Sequence, residues 1–171
     1  APPPHLMCYQ SRDAAGIFSG GRHRVTVTNQ FGEQNLVTIR HESLCVPAEK
    51  NGVASDTELD RFKCYRVVQE RGTPRFTPRE VTLADQFENK VTEVVMPHLL
   101  CNPVDLNGQG IAADLCHLLC YRIRDAAGQP AFVPVQVSVE EEIAELLEIG
   151  TAQNSCRRAS LLCVPSLKTE R

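Results

Sequence analysis

Tryptophan is absent from this 171-residue chain and aromatic residues make up only 5% of it, which rules out a core built on large rings. Charge of one sign is lacking too. The formal net charge is -3 and the lysines and arginines are scattered, so there is no massed positive face of the kind that holds nucleic acid. No apolar run approaches the roughly 20 residues that a membrane-spanning helix needs. Familiar catalytic signatures are also missing. There is no G-x-S-x-G elbow, and Gly16 to Gly21 has neither the lysine nor the helix of a phosphate-cradling loop. His41-Glu42 opens like a zinc-protease helix, but no second histidine follows at the required spacing. The reading is a non-enzymatic chain without a cofactor.

What the sequence does have is repetition. Cys8-Tyr9, Cys64-Tyr65 and Cys120-Tyr121 recur every 56 residues and use all three tyrosines. Val25 to Phe31 returns as Val81 to Phe87, and more weakly as Val137-Ser138-Val139. Each unit closes on Leu-Cys-x-Pro, at Leu44 to Pro47, Leu100 to Pro103 and Leu162 to Pro165. Arg12 to Gly16 reappears as Arg124 to Gly128. Self-similarity at a fixed period sets the architecture before any single motif does. The chain therefore divides into three copies, 1–52, 58–108 and 114–171, joined by polar linkers. One copy has too small a core to stand unaided, so staples or packing between copies are expected.

The eight cysteines supply the staples. Cys8 and Cys45 have the same separation as Cys64 and Cys101, and Cys120 and Cys163 differ from it only by six inserted residues. The simplest assignment is one bridge per copy. Cys116 and Cys156 remain, both in the third copy, as a fourth pair. Disulfides persist in oxidising compartments, and Ala1-Pro2-Pro3-Pro4 reads as a mature terminus left after cleavage. The expected location is extracellular or the cell surface.

Strand signals dominate. Val25-Thr26-Val27-Thr28 alternates apolar and polar β-branched residues, the mark of a half-buried strand. Phe62 to Val68, Val81 to Phe87 and Val91 to Met96 are the clearest strands of the second copy. The third copy departs where its hairpin should be. Ile143, Leu146 and Leu147 fall at helical spacing ahead of Gly150, which predicts a short helix over 140–149 at the six-residue insertion. We read it as a terminal cap, with a partner-binding amphipathic helix as the rival.

Three further groups are weighed for chemistry. Cys116, His117, Cys120 and Cys156 hold the atoms of a zinc site, but Cys120 is claimed by Cys163, so the disulfide reading is preferred and no metal is assigned. Asp105-Leu106-Asn107-Gly108 begins like a calcium loop. However, Gln109 replaces the third acid and Cys116 takes the bidentate position, so a plain turn is preferred. Tyr9, Tyr65 and Tyr121 are either three equivalent platforms for a polysaccharide or residues that pack on their own sheet. Packing is preferred.

The unit C-Y-x(2)-R-D-A-A-G…V-T-x-D-Q-F…L-C-V-P resembles an uncharacterised Cys-Tyr…Leu-Cys-Val-Pro repeat family of exported bacterial proteins. The resemblance implies export and modularity and carries no activity. The expected fold is mainly β: three tandem disulfide-stapled modules of 56 residues, the last with a short helix. A row in which each copy touches only its neighbours is favoured over a closed β-trefoil-like pseudo-threefold barrel. The expected function is a structural one, a self-assembling subunit of a fibre or surface layer. Its partner would be a second copy, held head to tail through the N-terminal segment. The alternative is a secreted polysaccharide- or ligand-binding module that uses the tyrosines.

Overall fold

Runs of β-branched residues at period two become strands because one face of each is buried and the other wetted. In Arg24–Asn29, for example, Val25 and Val27 are buried while Arg24 and Thr28 are exposed. The structure, a computed structural model, describes residues 5–14, 21–52, 59–143, 148 and 151–171. Among the described residues its strands are β1 (His5–Gln10), β2 (Arg24–Asn29), β3 (Gly32–Lys50), β4 (Arg61–Gln69) and β5 (Arg79–Ala84), followed by β6 (Asn89–Val104), β7 (His117–Asp125), β8 (Val135–Glu141), β9 (Ala152–Cys156) and β10 (Leu161–Glu170). The chain is mainly β, as expected.

Each copy repeats one antiparallel pairing. Cys8 lies opposite Cys45 in β1–β3, Cys64 opposite Cys101 in β4–β6, and Cys120 opposite Cys163 in β7–β10. All three pairs are disulfide-bonded. Copies meet through a second repeated pairing, β3 on β4 and β6 on β7. These two ladders share their register, since Leu44 opposite Lys63 corresponds to Leu100 opposite Leu119. They also share two irregularities, at Thr38/Arg40 and His41/Ser43 in one and Val94/Met96 and Pro97/Leu99 in the other. Such bulges bend a long strand, which lets β3 and β6 each serve several neighbours.

The first and third copies also pair with each other. Lys168 of β10 lies opposite Val27 of β2, and Lys50 of β3 opposite Val139 of β8, which are equivalent positions exchanged between the two copies. The ladder runs β2-β10-β7-β6-β4-β3 and returns to β2. A row with only neighbour contacts is thereby overturned. The physical reason is that β3 and β10 extend past their in-copy partners, and their unpaired backbone groups need other partners. Threefold symmetry is not kept, because among the described residues β5 pairs with β6 alone.

Side chains from all six strands of this circuit, including Val25, Leu36, Val67, Leu100, Tyr121 and Val164, form the main core. The disulfide face makes a second cluster of Cys45, Phe62, Cys64, Leu99, Cys101 and Cys120. The helix expected over 140–149 does not start at its first residues. Glu140 and Glu141 end β8, held there by Glu49 and Ala48 of β3. Leu146, Leu147, Ile149 and Gly150 lie outside the described residues. The third copy differs in one more respect. Its β9 stops at Cys156 and β10 starts at Leu161, whereas the equivalent residues of the first two copies run unbroken through β3 and β6.

Candidate functional site

The repeated registers bring the bridges side by side. Cys45 Sγ is 3.9 Å from Cys64 Sγ, and Cys101 Sγ is 4.0 Å from Cys120 Sγ. Six cysteines thus form one row across β1, β3, β4, β6, β7 and β10. Four are buried: Cys64 and Cys120 are 1% exposed, Cys101 2% and Cys45 4%. The two at the ends of the row, Cys8 and Cys163, are exposed. The cause is simple. A cysteine here is covered by the next copy across the junction, and the end cysteines have no next copy.

The expected Cys116–Cys156 bridge is not made, and both are free thiols. Cys156 sits in β9 opposite Val135 and packs near Ala48 and Val137. Cys116 lies just before β7, and four strands stand between β7 and β9 in the ladder. A disulfide needs Cα atoms within about 7 Å, less than two inter-strand spacings. His117 does not join a metal cluster with them, since its Nδ1 lies 3.0 Å from Asn102 Oδ1. Among the described residues no group of three or more His, Cys, Asp and Glu gathers as a metal site. In the linker, Asp105 Oδ1 accepts the Gly110 N–H at 3.0 Å, which closes a turn.

The tyrosines are not equivalent. Tyr121 is 0% exposed, meets Phe31 edge to face at 5.2 Å, and its hydroxyl pairs with the Asn29 amide. A side chain so buried presents no platform. Tyr9 is half-buried and donates to Glu141 of β8; burial first, and then that carboxylate, push its pKa up to about 12. Tyr65 is half-buried against His41, with Lys63 Nζ 5.6 Å above its ring.

One constellation has no counterpart in the sequence reading. Ser11 Oγ is 2.7 Å from His41 Nε2, and His41 Nδ1 is 3.1 Å from Asp13 Oδ1. This is the order of a serine–histidine–carboxylate relay. Two features work against acyl transfer. The Ser11 N–H donates to Glu42 O at 3.0 Å just past the end of β1, so it is not free to serve as an oxyanion donor. Lys63 Nζ lies 2.8 Å from the same Asp13 oxygen and offsets the charge an imidazolium would need. Lys63 first, and His41 second, hold the Asp13 carboxyl below its ordinary range. No spacing rule finds this group. Only the β1–β3 register, which carries Ser11 to Glu42, places serine and histidine together.

Two surface grooves flank the third copy. One, of about 690 Å³, is apolar and includes Leu115, Cys116, Pro165 and Leu167. The other, of about 640 Å³, is basic, with His98, Arg122, Arg124 and Arg158. Burial, then the nearby Arg66 and Arg122, lower the His98 pKa. Compared with protein-family models, curated proteins and solved structures, the chain gives no match.

Proposed function

We propose that the chain is a non-enzymatic extracellular structural protein, a self-assembling subunit of a fibre or surface layer built from three copies of one disulfide-stapled unit. The observation that carries this reading is the state of the sheet edges. Among the described residues β1 is paired only with β3, and Leu161 to Ser166 of β10 only with β7. An unpaired edge is a template for another chain. The three bridges suit an oxidising environment, and the outside of a cell is the setting we assign. In this reading Ser11, His41, Asp13 and Lys63 form a polar knot that ties the chain after β1 to β3 and β4.

A second reading, a secreted binding module for an acidic polysaccharide, is favoured by the basic groove of His98, Arg122 and Arg158 rather than by the tyrosines. Sedimentation velocity over a range of concentrations, with negative-stain microscopy, separates the two. Concentration-dependent assemblies are expected. A monomer at every concentration that binds an immobilised anionic glycan would sink the structural reading and favour the other.

A further inference from the structure

We propose that subunits join by pairing β1 of one chain with β9 and β10 of a second, in the register the chain already uses twice. This rests on the assembly reading above and specifies its interface. At both internal junctions the closing strand of one copy lies against the opening strand of the next. β4 uses one edge for β3 and the other for its own β6, and β7 likewise lies between β6 and β10. β1 is the opening strand of the first copy, and among the described residues its corresponding edge is unpaired. The closing stretch of the third copy, from Asn154 to Cys163, is the equivalent of Leu36 to Cys45 and of Thr92 to Cys101. Among the described residues its corresponding edge is unpaired as well.

Three observations point to a second copy as the occupant. First, of the six bridged cysteines only Cys8 and Cys163, those at the two unused edges, are exposed. Docking would cover them as Cys45 and Cys64 cover one another. Second, β9 and β10 are interrupted at Arg157 to Ser160, where β3 and β6 bulge but continue unbroken along the following copy's opening strand. The missing neighbour accounts for the break. Third, the register places compatible residues together. Leu162 falls opposite Met7, as Leu100 does opposite Leu119, and Arg158 falls opposite Gln10, as Met96 does opposite Arg122. Among the described residues one chain does not satisfy both edges itself. β10 is held at Leu167 to Glu170 by β2, which lies along Gly32 to Val37 of β3, while β1 lies along Ser43 to Ala48 of that strand.

The test is cross-linking by register. Met7→Cys protein and Leu162→Cys protein, each also carrying Cys116→Ser and Cys156→Ser, are mixed and oxidised. Disulfide-linked heterodimers are expected from the mixture, and none when Leu167→Cys replaces Leu162→Cys. Gln10→Pro tests the same edge without new thiols. The Ser11 N–H points inward to Glu42, so by alternation the Gln10 N–H points outward, and proline there removes an edge donor the fold does not use. This variant should keep its three bridges and its β circular dichroism but stay monomeric where the unsubstituted protein assembles. Assembly of Gln10→Pro at the unsubstituted level, or cross-linking only out of register, overturns this interface and leaves the assembly reading standing. If the unsubstituted protein is monomeric at every concentration, both fall.

Discussion

The Cys64–Cys101 bridge and the two that flank it are the same feature in different surroundings. Each joins directly opposed residues of an opening and a closing strand. Yet both cysteines of the middle bridge are buried, while Cys8–Cys45 and Cys120–Cys163 each keep one exposed. The bridges close loops of nearly equal length, with sequence separations of 37, 37 and 43. In the chain-entropy model each is worth about 4 kcal/mol. What differs is the cover, and the cover comes from a neighbouring copy. The unit does not bury its own staple; the array does.

The tyrosines beside these cysteines sharpen the comparison, and they carry the largest effect we expect. Tyr121 fills the main core with Phe31 and Phe76, whereas Tyr65 at the equivalent position is only half-buried. Tyr121→Ala should cost about 3–5 kcal/mol, in the range of large-to-small core changes. Tyr65→Ala should cost well under half of that, and urea unfolding of the two variants would measure the gap. Equal losses would mean that the copies are packed alike after all.

A smaller effect involves the opening histidines, His5 and His117, which occupy equivalent places in β1 and β7. Burial is the first cause that lowers each pKa, followed by Lys50 for His5 and Lys168 for His117. A histidine whose folded pKa is depressed binds fewer protons folded than unfolded, so stability falls as pH drops below about 6.5. His117 is the more buried of the two. His117→Gln should therefore flatten the loss of stability between pH 7 and pH 5 more than His5→Gln does, as read from thermal unfolding across that range. The reverse order would contradict the burial difference.

Much of the fold was legible in the sequence, for reasons that also mark where legibility ended. The period gave the unit, and matching cysteine positions in it gave Cys8–Cys45, Cys64–Cys101 and, allowing for the six inserted residues, Cys120–Cys163, because a repeated unit repeats its cross-strand neighbours. Cys116–Cys156 failed because pairing by elimination contains no distance. The exchange of β2 and β8 between the first and third copies was hidden for a different reason. Repetition makes the edges of β1, β4 and β7 alike in sequence, so it cannot say which of them stay open. The Ser11–His41–Asp13 knot depended on a register, and its residues are scattered along the chain.

The central claim is that a neighbouring copy, internal or from a second chain, is what protects a bridge. Brief reduction of the folded protein at low concentration, followed by alkylation and peptide mass spectrometry, tests it most directly. Thiolate attack needs access to a sulfur. The account predicts that Cys8–Cys45 and Cys120–Cys163 open first and Cys64–Cys101 last, and that assembly at high concentration slows the first two toward the rate of the third. Simultaneous opening of all three bridges, or early loss of Cys64–Cys101, would contradict it.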